Sequence, residues 1–71
     1  MNEMKRIFVD LDVVDEGDAG FGILVRYPSG AEVVLHSVCA NRLDAERICE
    51  VVNRLGVSGC HVRDVIEDLL P

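Results

Sequence analysis

Five carboxylates, Asp10, Asp12, Asp15, Glu16 and Asp18, crowd into nine residues near the start of the chain. Oxygen ligands at that density suit hard cations, because calcium and magnesium take carboxylates and carbonyls wrapped around one point. The spacing does not follow a helix-loop-helix calcium site. Counted from Asp10, the fifth position is Val14, the sixth Asp15 and the twelfth Phe21, where such a loop needs an acid, a glycine and a glutamate. On a strand, Asp10 and Asp12 share one face, as two carboxylates must to hold a metal or divide acid and base roles. A solvated strand face running into an acidic loop is the simpler expectation.

Thiols and imidazoles form the second group. His36 and Cys39 are three apart, and Cys60 and His61 are adjacent. Four zinc-type ligands in two clusters is a metal signal, but neither interval is a usual ligand spacing, and adjacent ligands rarely both turn inward. Free cysteine more often behaves as a small buried hydrophobe. Cys60 near a helix start has the dipole that acidifies a thiol, yet no oriented base or oxyanion donor accompanies it. Gly17, Gly20 and Gly22 precede a strand, whereas a phosphate cradle opens a helix. The sequence therefore predicts no catalytic residue, no metal ligand set and no cofactor. A divalent-metal module built on Asp10–Asp18, or on His36, Cys39, Cys60 and His61, stands as the alternative.

These side chains must be carried by strands in the first half and helices in the second. Ile7, Val9, Leu11 and Val13 alternate with Arg6, Asp10 and Asp12, the period of a half-buried strand, with Phe8 as the exception. After the turn formers of residues 15–20, the alternation resumes from Phe21 to Tyr27. Pro28-Ser29-Gly30 reverses the chain, and Ala31, Val33 and Leu35 then oppose Glu32, Val34 and His36, which together make a β-hairpin. From Asn41, an N-cap, the period becomes helical: Ala45, Ile48, Val52 and Leu55 recur with Val51 beside them, and Gly56 ends the run. Ser58 is placed to cap a second helix with an inward stripe of Val62, Val65, Ile66 and Leu69, closed by Pro71. The prediction is one α+β domain over residues 1–71, a three-stranded antiparallel β-meander followed by two α-helices on one face of the sheet.

Composition restricts the functions open to such a domain. The chain has 71 residues, 13 acidic against 7 basic side chains and a formal charge of −6. Binding nucleic acid directly would need a basic patch, so it is not expected. The apolar runs are too short to span a membrane. Three cysteines with no secretory segment ahead of them argue against a disulfide framework and for a cytoplasmic setting. A chain this short leaves little room for a substrate pocket of about 300 Å³ with its supporting shell, which disfavours an enzyme. Phe8, Leu24 and Val34 each occupy the sheet face assigned to solvent, one per predicted strand, and form a dimer patch if they align. Scatter, or cover by the segment of residues 1–4, is the competing expectation.

The segments Gly20-Phe21-Gly22-Ile23, Val38, Asp44, Val57-Ser58 and the run His61-x-x-Asp64-Val65-Ile66-Glu67-Asp68-Leu69 resemble a family of small Gram-positive bacterial proteins known only as a domain of unknown function. The resemblance implies a β-meander before two helices and no activity, cofactor or substrate. Independently of it, Asp64, Glu67 and Asp68 fall along one side of the second helix with His61, as an acidic strip for a basic partner or a solvated face with a local His–Asp pair. The expected function is a non-enzymatic acidic interaction module, a homodimer through Phe8, Leu24 and Val34. It would bind a larger protein with a basic surface through Asp10, Asp12, Asp15, Glu16, Asp18, Asp64, Glu67 and Asp68. Phage anti-defence inhibitors of the anti-CRISPR type have this profile, their carboxylates competing for grooves meant for nucleic acid.

Overall fold

A computed structural model describes residues 7–70. Strands β1 (Asp10–Asp15), β2 (Phe21–Arg26) and β3 (Glu32–Cys39) are followed by helices α1 (Arg42–Leu55) and α2 (Val62–Leu69), with a 3₁₀ turn at Gly17–Ala19. The strands form an antiparallel sheet in the order β1-β2-β3, and both helices pack on one face of it. This is the predicted meander and helix pair.

Alternation decides which side chains enter the core. Val9 and Leu11 from the first segment and Ile23 and Val25 from β2 are buried under Ala45, Ile48, Cys49 and Val52 of α1, with Val57, Val62 and Ile66 completing the cluster. Ile7 does not join them, because β1 begins only at Asp10 and the residues before it leave the ladder: Val9 N donates to Val57 O at 2.9 Å. Asn41 caps α1 as expected, its Oδ1 accepting from Asp44 N at 3.0 Å. Leu55, expected in the apolar stripe, is 64% exposed. Gly56, at φ +74°, turns the chain back at that point and delivers Val57 to the core in its place. A side chain at Gly56 would also meet the ring of Phe8, since its Cβ would stand 3.1 Å from Phe8 Cδ2.

Helix α2 starts later than Ser58 predicts. Residues 58–61 form a turn in which His61 N donates to Ser58 O at 3.0 Å, and His61 takes the N-cap position without a side-chain bond. Val62 and Ile66 are buried and Val65 half-buried, while Leu69 stays 37% exposed and Leu70 packs on the core instead. Pro71 and the segment of residues 1–4 lie outside the described residues.

The hairpin register is Arg26↔Glu32, Val25↔Val33, Leu24↔Val34 and Ile23↔Leu35, then jumps to Phe21↔Cys39. Gly22 thus faces three residues, His36, Ser37 and Val38. This bulge carries the one non-glycine residue with positive φ among those described, Ser37 at +53°.

Candidate interaction surfaces

The sheet face turned away from the helices carries Asp10 and Asp12 from β1, Gly22, Leu24 and Arg26 from β2, and Glu32, Val34 and His36 from β3. Register puts Asp10 beside Arg26 and Arg26 beside Glu32. The Arg26 guanidinium accordingly sits among three carboxylates: Nη1 lies 2.5 Å from Asp12 Oδ2 and 3.4 Å from Asp10 Oδ2, and Nε 3.4 Å from Glu32 Oε2. The hydrogen bond that Arg26 donates to Asp12, then the charge of that carboxylate, hold the guanidinium further above its ordinary pKa. Asp10 and Asp12 share a face as predicted, but an arginine occupies the space between them and takes up their charge. As half-exposed pairs they add little stability; they fix which charges remain free.

The rest of the acidic stretch disperses. Asp15 Oδ1 accepts from Gly17 N at 2.9 Å, and its other oxygen lies 3.7 Å from Arg42 Nη2. Glu16 turns the opposite way, across the sheet. Its Oε1 accepts from Ser37 N at 2.6 Å and its Oε2 from His36 Nδ1, leaving the carboxylate side chain 12% exposed beside an imidazole that is 73% exposed. Glycine at position 22 makes the crossing possible: a Cβ there would stand 2.6 Å from Leu35 O and 2.8 Å from Glu16 Oε1. The bulge and Glu16 therefore depend on each other. The carboxylate satisfies the amide of a residue held in the left-handed region, and that amide, followed by His36, lowers the Glu16 pKa below its ordinary value. Sequence reasoning placed Glu16 in an acidic cluster and His36 on a hairpin face; it did not bring them together. The available signal was the lone small residue, Gly22, in an otherwise bulky strand.

Cys39 and Cys49 are buried and Cys60 is exposed. Burial raises the Cys39 thiol and pushes that of Cys49 up to about 11, which makes both inert hydrophobes. Among the described residues no three His, Cys, Asp or Glu side chains converge as metal ligands, so neither Asp10–Asp18 nor His36, Cys39, Cys60 and His61 assemble a site.

Leu24 and Val34 are direct cross-strand partners, so two members of the predicted dimer patch adjoin. Phe8 precedes β1 and its ring lies against Gly56, which shortens the expected row of three to a pair. On α2, Asp64, Glu67 and Asp68 are exposed and make no ion pair among the described residues, nor does His61 bond to Asp64. Asp18 and Asp44 are likewise unpaired, whereas Glu46 and Glu50 pair with Arg42 and Arg54 one turn away. Glu67 and Asp68 also fall in the last turn of α2, which has no basic residue, at the negative end of the helix dipole.

Between α2 and the bulge runs an open groove of about 320 Å³, lined by Leu35, His36, Val38, Arg63, Ile66 and Leu70 among others. No described helix is long and apolar enough to cross a membrane. No family model matches the chain, and neither curated proteins nor solved structures give a match.

Proposed function

We propose that the chain is a non-enzymatic, self-associating interaction module whose acidic strip on α2 engages a basic surface on a larger protein. The observation that carries this reading is the contrast between α2 and the sheet. Carboxylates on the sheet face are held by Arg26 and His36, while Asp64, Glu67 and Asp68 pair with no cation among the described residues, and two of them stand where the helix dipole disfavours them. A cationic surface docking there would relieve that repulsion. Attraction between the strip and a cationic surface would also speed encounter, an effect that salt weakens steeply. The mode of action fitting such a strip is competition for a groove that normally holds nucleic acid, as small phage anti-defence and anti-CRISPR inhibitors compete. The free thiols suit a reducing, cytoplasmic setting.

The test compares the wild-type chain with a D64N/E67Q/D68N variant as bait in host lysate. The expected result is capture of a nucleic-acid-binding protein that is released by salt, is displaced by DNA or RNA, and is lost with the neutralised variant. Equal capture by both baits, or none by either, would reject the reading.

A further inference from the structure

The two edges of the sheet are not equivalent, and the hydrogen bonds of one of them fix the orientation of the other. On β1, Leu11 N donates to Asn53 Oδ1 at 2.8 Å and Leu11 O accepts from Asn53 Nδ2 at 2.9 Å, so both backbone groups of Leu11 point away from β2. In an antiparallel ladder the direction alternates by residue. Leu11 faces Val25, so Val25 bonds to β3 through Val33, and one residue further along β3 the groups of Glu32 and Val34 point to the outer edge. Nothing among the described residues pairs with them. Val33 and Val34, on opposite faces of this edge, are 41% and 37% exposed, and no proline or lysine interrupts β3.

We propose that β3 is the self-association interface, two copies pairing antiparallel across a two-fold axis centred on Val34 to give a six-stranded sheet. The occupant is a second copy because the segment is self-complementary in this register alone. Val34 meets Val34, Val33 meets Leu35, and Glu32 meets His36 of the second copy, a carboxylate opposite an imidazole at both ends. Backbone parity allows two neighbouring registers. Centring on Val33 places Glu32 against Val34 without a charge partner across the axis, and centring on Leu35 sets Val33 and Glu32 against Ser37 and Val38, beyond the point where the left-handed Ser37 breaks the extended strand. The bulge acts as a stop that sets the length of the paired segment. The inference rests on the self-association proposed above and specifies its geometry; Leu24, beside Val34, then adjoins the dimer seam.

Sedimentation velocity of the full chain up to about 1 mM reads the association directly, since its extent depends on protomer concentration. The wild-type chain is expected to be a dimer. V34P removes only an outward N–H and should weaken dimerisation roughly tenfold or more while retaining the wild-type circular dichroism, since proline is tolerated where an edge N–H faces solvent. V34K provides the same reading if V34P fails to fold, because it keeps the N–H and places like charges face to face at the axis. Register is read by air oxidation in a C60S background: V34C should form an interchain disulfide, and V33C should not. A wild-type chain that stays monomeric overturns the interface and the self-association together, leaving the acidic strip to its own test. A dimer unchanged by both V34P and V34K, or crosslinked through position 33 rather than 34, overturns the β3 interface and leaves self-association standing.

Discussion

At the β1 margin a helix side chain stands in for a missing strand: the Asn53 amide presents a donor and an acceptor to Leu11, and Val57 O takes the amide of Val9. At the β3 margin the outward groups of Glu32 and Val34 meet no such substitute among the described residues. Both margins belong to the same twisted sheet and carry similar aliphatic residues, so composition does not account for the difference. It comes from the path of the chain. Gly56 reverses α1 alongside β1, within reach of a short amide, while α2 and the bulge leave β3 at the other side with a groove between them. An edge closed within the molecule cannot recruit another strand; an edge left open can.

The largest expected effect sets two neighbouring residues of the open edge against each other. V33P removes an N–H that bonds to β2 and should cost about 3 kcal/mol, at the upper end of ordinary substitutions, whereas V34P should cost well under half of that. Urea denaturation of the two variants at equal, dilute concentration measures the difference; equal costs would mean that the parity assigned to β3 is wrong. At the closed edge, N53A strands both backbone groups of Leu11. It is expected to destabilise by about 2 kcal/mol, with faster hydrogen exchange at Leu11 and little change at residues of β3.

Period-two and helical patterns sufficed for the order of elements, for the Asn41 cap and for the reversal at Gly56, because each depends on neighbours in sequence. The closing of β1 does not. Asn53 lies on the polar side of an amphipathic helix and reads as solvated, and its partner is 42 residues away. The bulge was hidden for a similar reason. His36 continues the alternation of β3, and the break appears only at Ser37, whose left-handed backbone has no signature in a serine. Glu16 and His36 are separated by 20 residues and belong to no motif, and Asp10 and Asp12 looked available because Arg26 enters from another strand. Leu55 and Ser58 were misplaced at helix ends, where the chain direction, not the period, decides what is buried.

Two smaller effects sharpen the role of the bulge that ends the open edge. G22A should lower stability by about 1–2 kcal/mol, because the added methyl displaces either Glu16 or the Leu35 carbonyl, and should leave the Asn53 contacts intact. The smallest is a pH effect. With the Glu16 pKa below 4.5 in the fold, the unfolded chain takes up its proton first. The stabilisation is therefore present above that pH and fades as acidity carries the carboxylate through its lower folded value. Melting temperature measured from pH 6 to 3 should fall less steeply in E16Q than in the wild-type chain; parallel profiles would show that Glu16 is not anchored.

Asn53 has a further consequence for how far an assembly can grow. With α1 undocked, the sheet has two open margins, and a second chain can pair with either. Docked α1 occupies the backbone groups of Leu11 and leaves those of Glu32 and Val34 on β3 without a partner among the described residues. The side chain that caps β1 at Leu11 thus also limits the growth of an assembly, since pairing through one edge stops at two copies, whereas pairing through two can extend without end.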